Sequence, residues 1–236
     1  MLRYAGGKQR AVKSIVPYLD GEREIISPFL GGAAVELALA KKGVVVRGND
    51  VVEPLVNFYR ELKTKRADLV ARIKRIHPIT KEIYYSIRNT IGDAAHFFAV
   101  NRSCFSGCMT GGFSGLRFSL SSIEKLEKAD LTNLHLTCQD YEEFMAAHPT
   151  TFAFLDPPYD CPNLYLSGTF DHERLARVLH ERKSDWLLCY NDTPLIRKLY
   201  ADCEFIPVEW AYGMNTSRRS NEVLIRQKRI PPQIII

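Results

Sequence analysis

The segment Leu155-Asp156-Pro157-Pro158-Tyr159 brings together one carboxylate, two prolines and an aromatic ring. Pro157 biases Asp156 toward an extended backbone, and both prolines have a fixed φ and no N–H. The segment therefore offers acceptors, a carboxylate and rigid carbonyls, with no competing donor. Two adjacent acceptors suit an amino group carrying two hydrogens, and Tyr159 adds a ring face for a flat partner. The chemistry these residues could do is to hold a planar molecule by an exocyclic NH2, and a nucleobase fits. Asp-Pro and Pro-Pro are also ordinary loop signals, so a strand that stops in a turn is the alternative.

A second constellation is Pro28-Phe29-Leu30-Gly31-Gly32. Glycines between a strand and a helix let a ligand approach the backbone closely. Asp50 falls 19 residues after Gly31, at the end of the next strand. In doubly wound folds an acid near that spacing takes the hydroxyls of a ribose. The pairing points to an adenosine-type cofactor, and the absence of GxGxxG disfavours a dinucleotide. Tyr4-Ala5-Gly6-Gly7-Lys8 combines an aromatic, a flexible turn and a cation. It could close over a ligand's carboxylate or be a frayed terminus.

These groups need elements to position them. Glu24-Ile25-Ile26 leads as a strand into the glycine turn, Ala33–Lys42 reads as a helix, and Val44-Val45-Val46 as a buried strand ending at Gly48-Asn49-Asp50. A helix over Glu53–Lys63 completes the grammar of an open parallel sheet. The strand signal then disappears. Ala67–Ile76, Lys81–Ile91 and Ala94–Phe105 have helical periodicity, a Gly/Ser-rich loop spans Ser106–Gly115, and a short helix follows around Ser121–Ala129. Alternation resumes with strands at Leu134–Thr137, Thr151–Leu155 and Trp186–Tyr190 and helices at Tyr141–Ala147, Asp171–Arg182 and Thr193–Tyr200. Asp171 suits a helix N-cap. Glu204–Trp210 and Glu222–Arg226 read as a closing antiparallel pair, and the tail Pro231–Ile236 as a loose end or an edge strand. The expected fold is α/β: an open, mostly parallel sheet with helices on both faces. Residues 1–55 and 131–236 form its main domain, and 56–130 a mainly helical insertion.

With 236 residues, 46% of them hydrophobic, the chain can bury one substantial core. No apolar run has membrane length and the N-terminus has no signal-peptide character, so a soluble, cytoplasmic protein is expected. The six cysteines form no CxxC pair. Cys104 and Cys108 lack a second ligand pair, which argues for free thiols over zinc. The net charge of +5 is unevenly spread: residues 56–130 hold 13 of the 32 Lys/Arg but 7 of the 27 Asp/Glu. The whole positive balance thus lies in the insertion, as in a polyanion footprint or an ordinary solvated helical surface.

In order along the chain, these motifs resemble the Dam-like, D12 class DNA adenine-N6 methyltransferases. The matching residues are Tyr4–Lys8, Pro28–Gly32, Asn49-Asp50, Asn101-Arg102-Ser103-Cys104-Phe105-Ser106-Gly107, Asp140-Tyr141, Asp156–Tyr159 and Asn221–Ile225. The resemblance implies S-adenosylmethionine as cofactor, no metal, and double-stranded DNA as partner, met by a monomer or a weak dimer in a bacterial or phage-infected cell. By position, Tyr4, Lys8, Phe29, Gly31, Gly32, Asp50, Asp140, Tyr141 and Asp156 would contact the cofactor. Lys8 would suit its carboxylate and Asp50 its ribose. Asp156, Pro157 and Tyr159 would act on a flipped adenine. The helical insertion falls where the family reads its target, with Lys81, Arg88, Arg102 and Arg117 as DNA contacts, mostly to phosphate.

Two departures stand out. Ser27 occupies a position where many family members have an acid, so one cofactor contact cannot be carried over. Met109-Thr110-Gly111-Gly112-Phe113 lacks the aromatic/Arg-Asn pattern of well-known members, so their target preference cannot be carried over either. Two other readings remain: a methyltransferase acting on N4-cytosine, RNA adenine or a glutamine side chain, and a catalytically silent DNA-binding module. Asp at the head of the Pro-Pro-Tyr corner leans toward adenine in DNA.

Overall fold

Runs such as Glu24–Ser27 and Trp186–Asn191 are apolar on both faces, the pattern of strands covered from both sides. A computed structural model describes residues 1–4, 6–107, 109, 111–159, 170–208 and 221–228. Its strands are β1 (Glu24–Ser27), β2 (Val45–Asn49), β3 (Leu134–Thr137), β4 (Phe152–Leu155), β5 (Trp186–Asn191), β6 (Glu204–Pro207) and β7 (Glu222–Arg226). They form one sheet in the order β3-β2-β1-β4-β5-β7-β6. The first five are parallel, with Glu24 opposite Val45, Val46 opposite Leu134, Ile26 opposite Ala153 and Phe154 opposite Leu187. β7 is antiparallel to both β5 and β6. The strand order reverses between β1 and β4, so a crevice opens at their carboxyl ends, where open α/β sheets bind ligands.

Helices α1 (Val12–Ile15), α2 (Ala34–Lys41), α3 (Glu53–Thr64), α4 (Arg66–Ile76), α5 (Lys81–Ile87), α6 (Ala94–Ser103) and α7 (Leu120–Glu127) precede β3. α8 (Tyr141–Ala146), α9 (His172–Glu181) and α10 (Pro194–Leu199) follow it. One apolar cluster joins Ile25, Val46, Leu134 and Phe154 of the sheet to residues of α1 through α7, including Phe58, Phe97, Phe98 and Leu126. The other face, with Ile26, Leu155, Leu188 and Ile225, packs on Phe144, Leu175, Leu179 and Ile196 of α8, α9 and α10. The helical segment 56–130 therefore shares a core with the sheet, and residue 56 lies inside α3.

Most expected elements form. α1 and the 3-10 turn Val16–Leu19 after it were not anticipated. α5 ends at Ile87 rather than Ile91, because Thr90 folds back: its N–H and hydroxyl both donate to the Ile87 carbonyl, at 2.9 and 2.8 Å. Asp171 caps α9 by accepting the Arg174 N–H at 2.9 Å. The strand expected over Glu204–Trp210 is observed over Glu204–Pro207. Trp210, the tail Pro231–Ile236, Ala5, Cys108 and Thr110 lie outside the described residues. No helix among the described residues is long and apolar enough to cross a membrane.

Candidate active site

Four parallel strands deliver one functional corner each. Ser27 at the end of β1 leads into the glycine turn, Asn49 ends β2 and Asp50 follows it, Asp140 follows β3, and Asp156 follows β4. These corners share a single cleft of about 270 Å³, which is also lined by Tyr4, Lys8, Phe29, Tyr141, Pro157 and Tyr159. All the residues expected at the cofactor and at the flipped base thus meet in one place.

Gly31 adopts φ +45°, where a side chain would be strained, and an added Cβ would lie 3.3 Å from the Tyr4 ring. The turn can therefore sit under Tyr4 only if it lacks side chains. Its Gly31 N–H donates to Asp50 Oδ2 at 3.0 Å, and the Val52 N–H donates to Oδ1 at 3.0 Å. Burial pushes the Asp50 carboxyl up to about 6, against the pull of these N–H donors. A carboxylate has about four acceptor positions, so Asp50 keeps capacity for further donors. Asn49, which sequence reasoning noted only as part of a motif, clamps three corners. Its amide donates to Pro28 O at 3.3 Å and Gln139 O at 3.0 Å, and its Oδ1 accepts from Thr137 Oγ1 at 3.0 Å and from the Gln139 N–H at 3.1 Å.

Asp140 caps α8 by accepting the Glu142 N–H at 2.9 Å and is gripped by both terminal nitrogens of Arg174, at 2.7 and 3.0 Å. Burial opposes its ionisation, but Arg174 and that N–H hold its carboxyl below the usual range. Arg174 also lies 4.8 Å from the centre of the Tyr141 ring. Tyr141, Phe29 and Phe170 form an aromatic triangle with centroids 5.2 to 5.8 Å apart. Arg174 had no expected role. Long-range pairing with Asp140, and with Glu142 at 2.7 Å, gives it one.

At the fourth corner Lys8 is placed against the acid rather than left free in the cleft. Its ammonium lies 2.8 Å from Asp156 Oδ1, donates to Gly6 O at 2.6 Å, and is 3.7 Å from Glu222 Oε2. Lys8 and Glu222 are buried, whereas the Asp156 side chain is 21% exposed, so it opens to the cleft. The Tyr159 hydroxyl donates to the same Asp156 oxygen at 3.2 Å. Burial pushes Asp156 up, and the Lys8 charge opposes the shift. Asp156 Oδ1 is thus engaged twice. Burial shifts several titratable groups gathered at this corner, Asp156 and Tyr159 among them, a pattern frequent at functional sites.

The family model of the D12 class N6 adenine-specific DNA methyltransferases matches residues 4–214. The chain belongs to this family. It is 28% identical to a DNA N-6-adenine-methyltransferase of Escherichia phage P1, over 87% of this chain and 31% of that protein, so it spans about a third of that relative's length. It is 25% identical to the type II methyltransferase M.CviBI of Paramecium bursaria Chlorella virus NC1A, over 85% of each chain. It is 30% identical to a DNA adenine methylase of Vibrio cholerae serotype O1, over 84% of this chain and 83% of that protein. The reaction of the D12 class is methylation of adenine in DNA at N6.

The four cations expected at DNA fall outside the lining of the cleft. Arg102 is already engaged within the chain. Its guanidinium donates to the Arg117 carbonyl at 2.8 and 3.0 Å and to the Met1 carbonyl at 3.3 Å, so it braces the chain. Burial, then repulsion from Arg3 and Arg117, lowers its pKa to about 10. Arg117 and Lys81 are exposed, and half-buried Arg88 lies over the rings of Tyr84 and Tyr85. The neighbour of Arg102, fully buried Asn101, ties the N-terminal segment to α6. It accepts the Arg3 N–H at 2.8 Å and donates to Arg3 O at 2.7 Å.

Proposed function

We propose that this chain transfers a methyl group from S-adenosylmethionine to N6 of an adenine flipped out of double-stranded DNA. The observation that carries this reading is that the Asp156 corner shares one cleft with the Gly31-Gly32 turn and Asp50. A holder for an amino group and a holder for an adenosine-type cofactor thus face the same space. The family match favours adenine in DNA over a cytosine, RNA or glutamine acceptor.

The residues present fit S-adenosylmethionine. The side-chain-free turn packs closely beneath Tyr4, and both line the cleft with backbone and ring surface. Asp50 has acceptor capacity for ribose hydroxyls, and the triangle of Phe29, Tyr141 and Phe170 offers aromatic faces to a flat ring and a sulfonium. Asp140 sits beside that triangle at the cap of α8. When bound, the cofactor supplies an electrophilic methyl group on a positively charged sulfur.

The chain's own residues do the rest. The unengaged Asp156 oxygen and the Pro157 carbonyl accept the two amino hydrogens of adenine. Held so, the amino nitrogen pyramidalises and its lone pair leaves conjugation with the ring. The Lys8 charge opposes the upward push of burial on Asp156 and so favours its carboxylate form. The upward pull of burial on Asp156 also suits it to receive the proton that N6 gives up. Tyr159 packs against the flipped ring and offsets part of the unstacking cost. Two reactants held in line need positioning more than any other assistance.

The basic segment 56–130 presents the duplex, with exposed Arg117 and Lys81 and half-buried Arg88 at phosphates. The protein acts as a monomer or a weak dimer on DNA, in the cytoplasm of a bacterial or phage-infected cell. Incubation of mixed-sequence duplex with tritiated methyl donor should yield N6-methyladenine, and sequencing of the product gives the target site. No incorporation under conditions where the protein binds both DNA and donor would overturn the proposal.

A further inference from the structure

Glu36 is a buried acid that none of the roles above uses. It lies in the first turn of α2, is 3% exposed, and borders the cleft together with Lys8, Gly32 and Asp156. Its Oε1 accepts the hydroxyl of Ser27 at 2.7 Å, and Ser27 is itself fully buried at the end of β1. Among the described residues Glu36 takes part in no ion pair. The one cation whose charge reaches it, Lys8, is committed to Asp156, Gly6 O and Glu222. Burial pushes the Glu36 carboxyl up to about 7, against the Ser27 hydroxyl and its own backbone N–H. A carboxyl kept in such a place without a cation is an incomplete arrangement, since buried charges are normally paired.

The missing partner is a cationic donor that enters the cleft from outside. S-adenosylmethionine carries one at its amino-acid end, an α-ammonium with three hydrogens to donate. We propose that Glu36, steadied by the Ser27 hydroxyl, binds the α-ammonium of the methyl donor. The inference rests on the reading of the cleft as the S-adenosylmethionine site and adds a ligand to it. It also accounts for the departure at Ser27. The acid absent from the strand end is supplied by the helix opposite, and the hydroxyl that replaces it orients that acid. The N-terminal turn of α2 favours a carboxylate there.

The test is equilibrium binding by calorimetry to the full chain, with two probes. S-adenosylmethionine carries the amino-acid end; 5′-methylthioadenosine keeps the adenosine and sulfur but lacks it. Glu36→Gln should weaken S-adenosylmethionine at least tenfold and leave methylthioadenosine within twofold. Ser27→Ala should act in the same direction, by a smaller factor. An unchanged affinity of Glu36→Gln for S-adenosylmethionine would overturn the inference. So would an equal loss for both probes, since Glu36 would then only support the turn. Failure of the wild-type chain to bind S-adenosylmethionine would overturn the reading of the cleft, and the inference with it.

Discussion

Replacing Glu36 by Gln should stabilise the ligand-free protein at pH 8 relative to its effect at pH 5. The Glu36 carboxyl rises from 4.5 to about 7 on folding, with burial as the largest cause. A carboxyl with a raised folded pKa holds its proton more tightly in the folded chain. Its contribution to stability is therefore complete below 4.5 and is lost as pH rises through about 7. Between pH 5 and pH 8 that loss amounts to roughly 2–3 kcal/mol, at about 1.4 kcal/mol per pKa unit. Gln keeps the shape and an oxygen for Ser27 but does not titrate. Any packing or hydrogen-bond cost of the amide is the same at both pH values and cancels in the difference. Asp50 titrates in both proteins and cancels as well. For a chain of this size the gap in Tm between variant and wild type should move by roughly 5–10 °C in favour of Gln from pH 5 to pH 8. Thermal unfolding of both proteins, followed by circular dichroism across that range, measures it. Parallel Tm curves would refute the reasoning, because they would mean that Glu36 is not ionising in a buried site. A stability gain coupled to the loss of donor binding is the trade expected of a functional charge.

Asp156→Asn should lower methyl transfer by about 10²–10³-fold, the scale of losing one polar contact made in the transition state; isotope transfer under donor and DNA saturation measures it, and retained turnover would remove Asp156 from its role. Lys8→Met leaves the carboxylates of Asp156 and Glu222 without their buried cation and should destabilise the protein by about 3–5 kcal/mol at pH 8. Urea unfolding should show that loss shrinking at acidic pH as the acids protonate. Arg102→Ala should cost about 1–3 kcal/mol of stability through the orphaned Arg117 and Met1 carbonyls, read as a fall in Tm. Arg117→Ala should leave Tm unchanged and reduce the slope of log affinity for DNA against log salt by about 1.

The strands and the corners at their ends were legible because both are local. A strand buried on both faces reads as an apolar run, and Leu134–Thr137 and Glu222–Arg226 form over the residues expected. Glycine turns and Asp-Pro-Pro-Tyr carry their backbone preferences with them. What each side chain meets across the fold was not legible. Lys8 could be read as a cation near a ligand, but not as the partner of Asp156, because nothing local links the first turn to β4. Arg102 looked like a phosphate contact because a guanidinium on a helix in a basic segment normally faces water. The carbonyls that capture it belong to a loop and to the N-terminus. Glu36 was passed over as one polar residue in an Ala/Leu-rich helix, and only its burial beside Ser27 sets it apart. The short α1 has too few residues for a period to register.

The charge pattern ties these particulars together. Among the described residues the cleft is lined by five carboxyls, Glu36, Asp50, Asp140, Asp156 and Asp171, against two cations, Lys8 and Arg174. Both cations are spent on acids, Lys8 on Asp156 and Arg174 on Asp140. A chain of net charge +5 has thus set an acid-rich pocket within a basic molecule. Such a pocket is costly to fold, as the raised carboxyls of Glu36 and Asp50 record. It suits a ligand that brings positive charge, and in the proposed cofactor a sulfonium and an ammonium outweigh the one carboxylate. Loss of the methyl group would remove the charge on sulfur, so under the proposed function the spent cofactor would bring one cation fewer than the fresh one. The basic segment 56–130 carries the opposite charge, which in the proposed function would draw the DNA. Segregating the two fields lets one small domain gather a cation and a polyanion without either repelling the other. In the proposed function the neutral adenine is the part of the DNA that would enter the acidic side.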